Sequence, residues 1–294
     1  LYQTVLLILN KEQRGYMTPA EFNNTRFTKT DLTYNINDKM AIAGTSWEAD
    51  KFLFNASMTP DLVVGESAVL KALTLIDMNL RSLENSGTVA SLDQTDINAT
   101  VSVGNLSAGI MTSKNSSSLV VPLLTNSGSW IGSETAPVST NVEWQVNQIT
   151  NNKSGVISSI DDWSITDFDS SGNETVFVNK GTVASDLALN ANLSSMINGG
   201  KFTLSLRDSG QDSVWTINTL TNQVSGKLFA GDNWLVNADG VTGLSSRGDL
   251  LHNAGVMQGY QDLTLAFDRL DIAADTDISG GLKGEVDNRF TLAI

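Results

Sequence analysis

The chain has no cysteine, four prolines and a single histidine among its 294 residues, and only 18 basic side chains against 32 acidic ones. Without cysteine there is no disulfide scaffold, no thiolate metal site and no thiol nucleophile, and the redox compartment stays open. Nucleic acid and anionic membrane are excluded as partners by the net charge of −14 and the pI near 4.3, because neutralising phosphates takes clustered Lys and Arg. Cations are the natural counterpart. The longest apolar runs, Val5 to Leu9 and Leu119 to Leu124, fall far short of the ~18 residues of a spanning helix, so no membrane span is expected. The chain starts at Leu1 with no basic segment, apolar stretch and cleavage site, and a processed end and a trimmed one are equally open.

Charged residues make up only 17% of the chain while apolar ones make up 40%, so Asn, Ser, Thr and Gly must cover much of the surface. That composition suits turn-rich β structure. The cleanest pattern lies between Gly199 and Asp239, where Phe202, Leu204 and Leu206 alternate with polar residues. After a DSGQD turn, Trp215 and Ile217 open a second run, Val224 to Ala230 makes a third, and Gly231-Asp232-Asn233 turns toward Trp234 and Val236. This reads as an antiparallel meander. The expected fold is mainly β, with antiparallel meanders forming sandwich- or barrel-like domains.

Three units are expected: an N-terminal helical segment over 1–24, a first β-rich domain over 25–138 and a second over 139–294. In the first, Val5, Leu6 and Leu9 have helical spacing, and Gly15 and Pro19 punctuate its end. Asn10, Glu12, Gly15, Thr18 and Glu21 also fall on the template of a calcium loop, but Arg14 sits where an oxygen ligand belongs. The run NKEQRGYMTPAEFN in this segment resembles the N-terminal segment of uncharacterised virion-associated proteins of marine tailed bacteriophages, and the resemblance implies a phage context. Beyond it, Tyr34, Ile36, Met40, Ile42, Trp47, Phe52 and Phe54 are core candidates. Over 66–84 we read a helix from the stripe Val69, Leu70, Leu73, Ile76, Leu80 and Leu83, although Leu73-Thr74-Leu75 also alternates. SLVVPLLTNSGSWIGSETAPVST, residues 118–140, resembles a loop region of tailed-phage major capsid proteins, which implies a virion origin. From Asn141 onward the pattern is strand after strand, with 245–259 as a long polar loop. GTVAS occurs at Gly87 and again at Gly181, too short a match to define a repeat.

The sharpest chemical signal is D-x-D-x-S-G, which occurs twice and offers Asp167, Asp169 and Ser171, then Asp275, Asp277 and Ser279, as metal ligands. Alternate acidic residues before a glycine can deliver several oxygens to calcium from one turn, and Glu174 and Glu285 lie close by. The same residue types build ordinary β-turns. His252 lies in the expected loop with no G-x-S-x-G nucleophile motif, so no hydrolytic triad is legible. Glu143, Asp161, Asp162 and Asp271 could supply a glycosidase pair with tryptophan platforms, but their separation is not readable. The tryptophans are read mainly as core. The expected protein is therefore not an enzyme but a structural, assembly-forming component of a tailed-phage virion, acting as capsid, decoration or tail protein. Its expected partners are copies of itself or other virion proteins. The alternative is a secreted or cell-surface bacterial β module that binds calcium or glycans.

Overall fold

The structure, a computed structural model, describes residues 31–34, 39–42, 44, 46–54, 61–135, 142–168, 175–206, 210–237, 247–273, 276–280 and 290–293. Within that set, side chains are placed from residue 41 to residue 280. The fold is mainly β, as expected, but every strand pairing is parallel and the chain winds into a β-solenoid. This overturns the antiparallel meanders and the sandwich or barrel. Strands that follow one another in sequence lie on different sides of a coil, and each pairs with its counterpart one turn away.

Each coil passes through three ladders, here called faces A, B and C. Face A is built from short strands such as Thr88–Ser91, Ile110–Ser113, Ser129–Ile131, Val156–Ser159 and Thr182–Ser185, in continuous register from Ser46 and Val69 through to Asp277. Faces B and C are usually one strand with a slip at the corner between them, as in Gln94–Asn105, Ser116–Asn126 and Val142–Asn151. Face B runs through twelve strands, from Asp31–Tyr34 to Phe290–Ala293. At ~4.8 Å per rung that is about 50 Å of stack.

Alternation decides which side chains turn inward, and the inward ones form one core cluster from Ile42 to Phe267. All six tryptophans are buried in it. Trp130, Trp144 and Trp163 meet edge to face with centroids 5.2 and 4.7 Å apart, and Phe202, Trp215 and Trp234 continue the same geometry further along. Faces A and B supply both sets, which ties adjacent coils through the interior.

At the corner between faces C and A an inward-facing asparagine occupies eight successive coils: Asn85, Asn105, Asn126, Asn151, Asn179, Asn198, Asn222 and Asn253, all fully buried. The Nδ2 of each of the first seven donates to the Oδ1 of the asparagine in the next coil at 2.8 or 2.9 Å. Most also reach turn carbonyls, as Asn151 does to Gly155 and Thr182. The corner requires a buried polar side chain because the backbone leaves the ladders there, and its carbonyls need donors that water cannot supply. A glycine follows each asparagine, two or four residues on. A Cβ at Gly155 would stand 2.2 Å from Asn151 Oδ1 and 2.6 Å from the Asn126 carbonyl, so only glycine permits this approach. The column ends in aliphatic residues, Val64 before Asn85 and Ile272 after Asn253.

Two further expectations change. The residues read as a helix over 66–84 form the strand Val69–Asn85. Its inward residues Leu70, Ala72, Ile76, Met78, Leu80 and Leu83 alternate within each face, but each corner shifts the phase, and the sum mimics helical spacing. Leu73, on such a corner, is 52% exposed. The expected loop over 245–259 contains the strands Leu250–Asn253 and Val256–Gly259. The helical segment over 1–24, with its calcium-loop template, lies outside the described residues. So do residues 136–141 at the expected domain boundary, on either side of which face A pairs Ser129–Ile131 with Val156–Ser159 and face B pairs Ser116–Asn126 with Val142–Asn151.

Candidate functional site

The two D-x-D-x-S-G loops are partly within view. Asp169, Ser171 and Asp275 lie outside the described residues, as do Glu174 and Glu285. Asp167 is buried where the chain leaves Trp163–Thr166 on face B. Asp277 and Ser279 stand on the face A strand Asp277–Ser279, several coils away, where Asp277 Oδ2 accepts a 2.6 Å bond from Gln258 Nε2. The described members of the two loops therefore do not converge. Among the described residues no group of three or more His, Asp or Glu side chains is placed to hold a metal ion.

Of the carboxylates considered for a glycosidase pair, Glu143 is exposed on face B and Asp271 on face C, while Asp161 and Asp162 share the corner between faces A and B. Asp161 is fully buried. Its Oδ1 accepts the Asp162 N–H at 2.7 Å, Oδ2 has no hydrogen-bond partner among the described residues, and burial pushes its pKa up to about 6. The structure instead pairs two acids that carried no sequence signal, Asp77 and Asp96, which are register partners on adjacent rungs of face B. Asn79 Nδ2 donates to Asp77 at 3.1 Å, and Gln94 Nε2 donates to both oxygens of Asp96 at 2.8 Å. Burial, then the Asp96 charge, raises the Asp77 pKa. Only the three-dimensional register brings these residues together, since nineteen positions of sequence separate them.

His252 lies on face C, where its Nδ1 is 2.7 Å from Asp271 Oδ2 on the next rung. Beside it the turn Gln223 to Ser225 overhangs a shallow groove of about 550 Å³ that also touches Ala254. Serine, histidine and aspartate are thus neighbours in space, but Ser225 Oγ donates to the Gly199 carbonyl at 2.7 Å, away toward the preceding coil. The groove contains the residue types of a hydrolytic triad without its hydrogen-bond chain.

No family model, curated protein or solved structure matches the chain. The site has to be argued from its own chemistry. No helix among the described residues is long and apolar enough to cross a membrane.

The most distinctive surface is face C. Over seven consecutive coils, from Ser102 and Gly104 to Leu250 and His252, its outward positions carry no Lys, Arg, Asp or Glu. One outward column reads Thr125, Thr150, Val178, Ile197 and Thr221, largely β-branched and half-buried. Charge returns at the limits of the stretch, with Glu84 and the Arg81–Asp61 ion pair at one end and Asp271 at the other. Face A is uncharged from Thr88 and Ala90 to Thr182 and Ala184, but Glu134 leans onto it through a hydrogen bond from Thr112 Oγ. Several of the exposed large apolar residues, Leu106, Ile110, Leu123, Val156 and Val224, lie on these two faces or the asparagine corner between them. Sequence reading missed this surface because alternate residues of seven separate strands compose it.

Proposed function

We propose that the chain is a structural, assembly-forming component of a particle exterior, with a tailed-phage virion as its first setting, and that it works through surface contacts instead of a reaction. The observation that carries this reading is the buried asparagine ladder through eight coils, which holds about 34 Å of the roughly 50 Å stack at constant pitch. A stack of this kind keeps its outer faces straight and at fixed spacing, which is what a load-bearing or spacing element requires. The uncharged outer positions of face C support contact as the mode of action, since a contact there desolvates no ionised group. The resemblance of residues 1–24 and 118–140 to tailed-phage proteins supports the virion setting.

A secreted or cell-surface module that binds calcium or glycans is the second reading, favoured by the adjacent Asp77 and Asp96 carboxylates and their amide neighbours on face B. Immunogold electron microscopy with an antibody raised against the folded chain tests the first reading. Regular labelling on the outside of virions is the expected result. Labelling confined to the cell envelope would transfer the protein to the second reading, and labelling confined to the cytoplasm would overturn both.

A further inference from the structure

We infer that face C is a lateral contact surface for a second copy of this chain, which deepens the structural reading and rests on it. Three properties of the face point to that occupant. The first is charge. Each copy carries a formal charge of −14, so two copies repel, and face C offers seven coils whose outward positions bring no Lys, Arg, Asp or Glu against another, with His252 at one limit as their single titratable side chain.

The second is periodicity. The outward columns repeat at the rung spacing of ~4.8 Å, and rows such as Thr150, Val178 and Ile197 make ridges with grooves between them. A surface with the same spacing is needed to interdigitate over the whole length, and another copy has it by construction. β-Branched and small side chains interlocking at that spacing give the dry contacts of paired sheets. The rows are not uniform: Gly104 leaves a notch, and Leu123 projects with 37% exposure. Those irregularities select one register over its neighbours.

The third is area. Seven rungs span about 29 Å and four residues span about 13 Å, which gives roughly 400 Å² per copy. A stable pair buries about 800 Å² per partner, so this face supports a weak and reversible pair that becomes stable when copies are held side by side in an assembly.

The test uses the full chain in sedimentation velocity from low to about 200 µM. A reversible monomer–dimer equilibrium is expected, with a Kd on the order of 10–100 µM. Raising the salt from about 0.1 to 0.5 M should tighten it at least threefold, because it screens the repulsion between copies without weakening an uncharged contact. Val178→Glu and Ile197→Glu, both outward and compatible with folding, should abolish pairing while far-UV circular dichroism and the unfolding midpoint stay unchanged. Gln145→Glu, outward on face B, should leave pairing intact. A chain that stays monomeric at 200 µM, pairing that salt weakens, or pairing that survives both face C variants would overturn the inference. Small-angle scattering of the monomer keeps the two ideas apart: an elongated particle that never pairs sinks the lateral contact and leaves the rod, whereas a particle without an axial dimension near 50 Å sinks the rod itself.

Discussion

Replacing Asn151 with alanine removes the fourth rung of the eight-membered ladder, and its cost can be worked bond by bond. Asn151 Nδ2 donates to Asn179 Oδ1 at 2.9 Å and to the Gly155 and Thr182 carbonyls at 3.2 and 3.1 Å, while its Oδ1 accepts from Asn126 at 2.9 Å. Some partners keep other bonds: Asn126 Nδ2 retains the Gly128 and Val156 carbonyls, and Asn179 Oδ1 retains the Gly181 N–H. The Thr182 carbonyl loses its side-chain donor. Four net bonds of about 0.5–1 kcal/mol each, and about 1–3 kcal/mol for a buried group left unsatisfied, give a loss of about 3–7 kcal/mol. Asn151→Asp keeps the shape but turns an acceptor toward three acceptors unless it is protonated. Its carboxyl is therefore raised in the folded state, and its cost grows as pH rises above the ordinary carboxylate range. Urea unfolding followed by tryptophan fluorescence at pH 5 and pH 8 reads both effects. The alanine variant should lose the same stability at both values, and the aspartate variant should lose more at pH 8. An alanine cost below about 1 kcal/mol, or an aspartate cost independent of pH, would refute the ladder as a source of stability.

Asp161 supplies a second pH test. Its folded pKa of about 6 lies above the ordinary 3.8, so its contribution is fully present below about pH 4, declines as pH rises through 6, and is then flat. The difference is about 3 kcal/mol across that window, and Asp161→Asn should remove the dependence and raise the melting point at pH 8 with little change at pH 4. Gly155→Ala should cost at least about 2 kcal/mol in chemical denaturation because its Cβ meets backbone and ladder atoms. Gly104→Ala, where the nearest atom is the Leu83 carbonyl at 3.8 Å, should cost under about 1 kcal/mol in the same assay. Trp144→Ala opens the core between Trp130 and Trp163, and a loss of about 3–5 kcal/mol is expected by urea titration.

The β character and much of the core were legible in the sequence, since Ile42, Phe52, Trp144, Trp163, Phe202 and Trp215 are buried as their alternation implied. The direction of pairing was not. An alternating run ended by Asn and Gly looks the same whether the chain doubles back or turns a corner, because both geometries need the same tight turn. What separates them is recurrence at long range. The chain repeats Asn-x-Gly at Asn85, Asn126, Asn179, Asn198 and Asn253, and Asn-x-x-x-Gly at Asn105, Asn151 and Asn222. The two GTVAS copies set aside as too short are equivalent face A strands following Asn85 and Asn179. Unequal coil lengths hide the period from any search at fixed spacing. The candidate surface was less legible still, because Thr150, Val178 and Ile197 belong to one row only after the coils are stacked.

Successive ladder asparagines are separated by 20, 21, 25, 28, 19, 24 and 31 residues, yet the bond joining them stays at 2.8 or 2.9 Å. Extra length, whether the two residues added at the Asn105, Asn151 and Asn222 corners or the longer stretches elsewhere in the coil, never enters the pitch. The protein is therefore a chassis with insertion ports. Foreign peptides grafted into the two longest coils, within 167–175 or 237–249, would ride at a fixed height along the stack, and displaying two at chosen ports would set the distance between them in steps of one coil.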